Sequence, residues 1–147
     1  MKPTKKFNMG KAPETFKHDV IVDGHDGTQS VIKVEYIYRS RSAFAKFKDE
    51  NDAESLALDK LRLAALDKTN EATENDDVAD NTETWQMMNQ RQNQFAVDYL
   101  LKIAKGWDLK EKFVREDLIE VYDQYPNVFG RIIEDYQLAI WSGALKN

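Results

Sequence analysis

Phe16-Lys17-His18-Asp19-Val20-Ile21-Val22 and Val31-Ile32-Lys33-Val34-Glu35-Tyr36-Ile37-Tyr38 are the stretches whose spacing decides the fold class. Successive side chains of a strand point to opposite faces, so Phe16, His18, Val20 and Val22 share one face of the first. In the second, Ile32, Val34, Tyr36 and Tyr38 share a face, and Val31, Lys33, Glu35 and Ile37 share the other. The β-branched and aromatic enrichment favours strands over a helix. Between them, Asp23-Gly24-His25-Asp26-Gly27-Thr28 contains two Asp-Gly steps. Glycine reaches positive φ without a steric cost, and aspartate bonds its own backbone nearby. A β-hairpin over residues 16–38 follows. Asp23, His25 and Asp26 invite comparison with a metal site, but adjacent turn residues rarely converge on one ion, and a plain turn is expected.

Downstream of Tyr38 the period changes from two to that of helices. Ser40 or Ser42 is placed to cap a short helix carrying Phe44 and Phe47. Residues 53–66 hold Leu56, Leu58, Leu61, Leu63 and Leu66. These do not fall on one stripe, as expected for a helix buried on several sides or shared with another chain. A long helix is expected from about Thr84 to Lys105, with Trp85, Met88, Phe95, Ala96, Tyr99 and Ile103 facing the core. Gly106 would sit just past its C-terminus. The next helix spans Phe113 to Tyr125, with Val114, Leu118, Val121, Tyr122 and Tyr125 as its stripe. Pro126 then opens a last helix to about Ser142. Phe129, Ile132, Ile133, Tyr136 and Ile140 form its core face. Leu138, Trp141 and Leu145 lie on a different side, within about 60° of one another by the helical 100° rule. Either another segment of the chain covers them or they meet a partner or a sister subunit. Strands first and helices after read as α+β: an N-terminal β-hairpin or small antiparallel sheet, then a mainly helical bundle.

Composition narrows the function. The chain has 147 residues, one domain's worth, no cysteine and two histidines, with a formal net charge of −5. Disulfides, thiolate metal sites and cysteine nucleophiles are excluded. No GxGxxG, GxxxxGK[ST], GxSxG or HExxH motif occurs, so neither catalysis nor a cofactor or metal is expected. Acidic pairs abound among 26 carboxylates and carry no specificity, although a carboxylate cluster in a deep cleft would revive an enzymatic reading. No apolar run is long enough to span a membrane. Residues 1–13, with Lys2, Lys5, Lys6 and Lys11 around the lone aromatic Phe7, read as a flexible basic tail rather than a nucleic-acid contact. Residues 14–147 read as a single domain. Within it, residues 67–84 hold seven acidic residues, one basic residue and a single valine. Such a segment buries too little apolar area to offset its ordering entropy, and it reads as a flexible linker. The alternative function is that of a small cytosolic adaptor whose acidic segment binds a basic protein.

The C-terminal third carries a more specific signal. Gly106-Trp107-Asp108-Leu109, Phe113-Val114-Arg115-Glu116-Asp117-Leu118, Tyr125-Pro126, Ile132-Ile133-Glu134-Asp135-Tyr136 and the closing Lys146-Asn147 follow in that order. Together with Phe16 to Val22 and Tyr38-Arg39-Ser40-Arg41-Ser42 before Phe44, this series resembles the tail assembly chaperones of long-tailed phages and prophages. The resemblance covers residues 14–48 and 93–147 and leaves the acidic middle unmatched. One departure is Val114, where family members place a small hydroxyl residue as helix N-cap; valine cannot accept the capping bond. The resemblance implies a non-enzymatic role in the host bacterial cytoplasm. Such chaperones coat the helical tape-measure protein and help recruit the major tail protein, the subunit of the tail tube. Self-association is a further expectation. Trp107, from the family-like segment, and Leu138, Trp141 and Leu145, from the off-stripe face, are the expected partner-binding residues.

Overall fold

A computed structural model describes residues 5–53 and 84–146 of the chain. Two strands open the fold, β1 (Thr15–Asp23) and β2 (Gln29–Ile37), followed by a helical stretch α1 over residues 41–53. Then come α2 (Trp85–Ile103), β3 (Ala104–Trp107), α3 (Arg115–Gln124) and α4 (Pro126–Ser142). The strands make one antiparallel sheet in the order β1-β2-β3, and the fold is α+β, as the alternating patterns predict.

The hairpin register follows from the alternation. Phe16 pairs with Tyr36, His18 with Val34, Val20 with Ile32 and Val22 with Ser30. All but Ser30 are buried on the face that the helices cover. The turn closes through Gly27 N–H to Gly24 O at 3.0 Å, with Gly27 at φ 80°, a conformation that favours glycine. Asp26 accepts a 2.9 Å bond from the Thr28 amide, which, together with the Thr28 hydroxyl, holds its carboxyl below the usual carboxylate range. Asp26 thus serves the turn's own backbone.

The expected helix from Thr84 to Lys105 is corrected at its C-terminal end. It stops at Ile103, and residues 104–107 turn directly into β3, with Ala104 at φ −138° and ψ 152°. Gly106 is a strand residue opposite Glu35 and not a left-handed helix cap. Asp108 extends the pairing, because its amide donates to Lys33 O and its carboxylate accepts from Lys33 N–H. At the other end, Thr84 caps α2, its hydroxyl accepting from the Met87 amide at 3.1 Å. The expected core face of α2 holds at Ala96, Tyr99 and Ile103 and is corrected toward its N-terminal end. Trp85 is 83% exposed, and Asn93, Val97, Tyr99, Leu100 and Ile103 form the buried face.

Ser40 caps α1, its hydroxyl 3.2 Å from the Ala43 amide, and Phe44 is buried. The leucine-bearing residues 54–66 and the acidic segment, apart from Thr84, lie outside the described residues. Helix α3 begins after Val114 with no side-chain cap. Asp117 instead reaches back to the Lys112 amide at 3.0 Å, and two acids in the first turn complement the helix dipole. Helix α4 packs on β1, α2 on β2 and β3, and α3 against both helices. Their shared core includes Leu100, Ile103, Leu118, Phe129, Ile132 and Tyr136, each fully buried. No helix among the described residues is long and apolar enough to cross a membrane.

Candidate interaction surfaces

Three buried polar groups fix α4 on the sheet. His18 lies on the core face of β1, where a polar ring needs a partner. Its Nδ1 meets Asp135 Oδ2 at 2.7 Å, and the carboxylate's acceptor role makes Nδ1–H the donor. The Tyr36 hydroxyl stands 2.9 Å from Ile132 O and 3.1 Å from the same Asp135 oxygen. Burial first, and the Asp135 charge second, push the Tyr36 hydroxyl far above its ordinary pKa. One residue further along β2, Ile37 O accepts from the Tyr136 hydroxyl at 2.9 Å, and that hydroxyl in turn accepts from Arg39 at 3.0 Å. A histidine oriented by a carboxylate has the form of a general base. Here Tyr36 is fully buried and His18 is 8% exposed, so the group is closed to a substrate and acts as an internal clamp.

With α4 fixed in this way, its two ends present different surfaces. At the C-terminal end, Leu138 is 62% exposed and Trp141 is 51% exposed. They are three residues apart and so adjoin on one helix face. The Arg41 guanidinium, from the start of α1, lies 4.1 Å from the centre of the Trp141 ring, a cation–π contact. Leu145 leaves this face. Helix α4 ends at Ser142, Gly143 adopts φ 74°, and the chain turns so that Leu145 packs against the core. The off-stripe trio is therefore an exposed pair plus one residue folded inward.

Trp107 stands elsewhere. It ends β3, its indole N–H donates to Glu111 O at 2.8 Å, and its ring meets the edges of Phe113 and Phe129. Phe129 lies nine residues before Leu138 on α4, about 14 Å along the axis. Trp107 is half-buried and braces the loop over residues 108–114.

At the N-terminal end of α4 lies a groove of about 580 Å³, which no reading of the sequence anticipates. Val22, Ile32, Leu109, Val121 and Val128 supply apolar lining. Asp23, Glu111, Asp117 and Glu120 also line it, and among the described residues no lysine, arginine or histidine does. Where Ser30 faces Val22 in the register, the row of large core residues stops, and this leaves the space. The hairpin turn is fastened to the α3–α4 corner beside the groove. His25 stacks on Tyr125 with ring centres 4.1 Å apart, its Nε2 is 2.6 Å from Gln124 O, and Asn127 donates to Asp23 O at 2.8 Å. The groove joins residues from 22 to 128, a range that no local motif spans.

The fold and these surfaces define a small α+β protein in which a three-stranded sheet carries helices on one face. The family model for phage tail assembly chaperones matches residues 4–147, and the chain belongs to that family. The match runs through the middle of the chain and so extends beyond residues 14–48 and 93–147, which carry the resemblance. No curated protein and no solved structure matches the chain.

Proposed function

We propose that this protein binds the tape-measure protein and the major tail protein during tail assembly in the host bacterial cytoplasm, and that it acts by contact without catalysis. Membership of the family supports the general role. The observation that carries the finer reading is the exposed Leu138–Trp141 pair on a helix clamped to the sheet. Tryptophan is among the residues that dominate binding energy at protein interfaces, and the adjoining leucine extends the apolar contact area around it. An apolar stripe on a helical client would lie along that face, as in helix-in-groove recognition. Arg41 would hold the indole oriented before the client arrives, which lowers the entropic cost of binding.

The test is co-expression with the tape-measure protein encoded by the same phage, followed by size-exclusion chromatography with light scattering. The expected result is a soluble client that co-elutes with several copies of the chaperone. A client that stays insoluble, or that elutes alone, would remove the proposed function.

A further inference from the structure

We infer that the acidic groove at the N-terminal end of α4 is the docking site for the basic N-terminal segment, residues 5–11, of a second copy of this chain. Two observations of complementary chemistry carry this. The groove combines apolar lining from Val22, Leu109, Val121 and Val128 with the carboxylates of Asp23, Glu111, Asp117 and Glu120. Lys110 and Lys112 flank Glu111 in the chain but do not line the groove. The N-terminal segment is the converse. Lys5, Lys6 and Lys11 surround Phe7 and Met9, whose side chains are 86% and 92% exposed. Residues 6–13 carry neither helix nor strand, so their backbone is free to follow a groove. A volume of about 580 Å³ falls in the range of sites that enclose a few side chains. Apolar anchors ringed by lysines suit an apolar floor ringed by carboxylates, and the lysines would steer the encounter.

Chain length decides between the segment's own groove and a neighbour's. Phe7 precedes Thr15 by eight residues, which span at most about 28 Å when fully extended. The groove lies at the Asp23 end of β1, eight residues beyond Thr15, or about 27 Å along the strand. Phe7 would reach the lip of its own groove only with every residue straight and none left to turn inward. Met9, two residues nearer the strand, falls short. A second copy has no such limit. Reciprocal exchange of the segment closes a two-fold pair. The proposal does not depend on the identity of the client.

The test is light scattering of the full chain over about a hundredfold dilution series, with charge exchange between the two sides. The expected result for the wild type is a mass above the 17.1 kDa of one chain at high concentration, falling on dilution and at high salt. Lys5→Glu with Lys6→Glu should weaken association about tenfold, and Glu111→Lys with Glu120→Lys should do the same. Combining the four changes should restore association, and Phe7→Ser alone should weaken it about tenfold. All five positions are exposed, so thermal unfolding should stay unchanged and separate lost docking from lost folding. A wild type that is monomeric at every concentration would overturn the proposal. So would an association indifferent to the Glu111 and Glu120 changes. A monomer in which Phe7→Ser moves the amide signals of Glu120 and Val121 would also overturn it, by placing the segment in its own groove.

Discussion

At its N-terminal end α4 borders a groove rimmed by Asp23, Glu111, Asp117 and Glu120, while at its C-terminal end it presents Leu138 and Trp141 beside Arg41. One surface is concave and acidic; the other is a raised apolar pair next to a cation. Both rest on the same framework, since α4 is clamped between them by His18, Tyr36, Asp135 and Tyr136. If both surfaces bind as proposed, the difference teaches how a chain poor in reactive side chains can carry two recognition chemistries. A single rigid helix holds them about 15 Å apart, measured from Val128 to Leu138 along the axis. The acidic end is built from many segments and the apolar end mainly from one.

If both ends depend on one core, the largest effect should come from its shared centre. Phe129 is fully buried and touches Trp107 and Tyr122. Phe129→Ala should destabilise the protein by about 3–5 kcal/mol in denaturant unfolding. A loss below about 1 kcal/mol would mean that the two ends do not share a core as described.

Alkaline pH should loosen the clamp next. Burial raises the hydroxyls of Tyr36 and Tyr136 above the ordinary 10.0 and pushes Tyr99 up to about 12. In the unfolded chain a tyrosine ionises near pH 10, so above that pH the unfolded state binds fewer protons than the native one. The contribution is therefore complete below pH 10; that of Tyr99 is lost as pH climbs through about 12, and the loss from Tyr36 continues above that. Each tyrosine still protonated should add a slope of about −1.4 kcal/mol per pH unit to the unfolding free energy. Absorbance at alkaline pH should show these three tyrosines ionising only as the fold opens.

Smaller effects sharpen the contrast between clamp and surface. Tyr136→Phe removes the bond to Ile37 O and leaves Arg39 without that acceptor, which should cost about 1–2 kcal/mol. Tyr99→Phe should be neutral or stabilising by up to about 1 kcal/mol, because among the described residues its buried hydroxyl has no hydrogen-bond partner. Leu138→Ser should change stability by less than about 0.5 kcal/mol, since the side chain is mostly in solvent. A large loss there would show that Leu138 belongs to the core and not to a surface.

Much of this framework is legible in the amino-acid pattern. Alternation alone assigns Phe16, His18, Val20 and Val22 to one face, and the 3.6-residue period finds Phe129, Ile132, Tyr136 and Ile140. Strand β3 escapes because Ala104-Lys105-Gly106-Trp107 is short, low in β propensity and joined to α2 without a turn signal. Its pairing with β2 through residues 34–36 is a tertiary choice, marked by an irregular register at Glu35 and Tyr36. Trp85 misleads because it stands in the first turn of α2, where hydrophobic spacing continues but the side chain is 83% exposed. His18 on a buried face signals that a partner must exist, yet Asp135 lies 117 residues away and no local spacing names it.

The surfaces follow the same rule. Leu138 and Trp141 are found by helix geometry because both sit within one helix. Leu145 departs because Gly143 ends that helix, and a projection continued past Ser142 places it on the wrong side. The groove is invisible in any single segment, since Val22, Leu109 and Val128 meet only when the sheet and the helices have assembled.

The most direct test of the account is solubility of the co-expressed tape-measure protein with wild-type chaperone against Trp141→Asp, each variant first shown to unfold at the same temperature. The account predicts that the wild type keeps the client soluble and that Trp141→Asp, which places a charge in the exposed apolar pair, lets it aggregate. Equal solubility with both would contradict the assignment of the C-terminal end of α4 as the client surface.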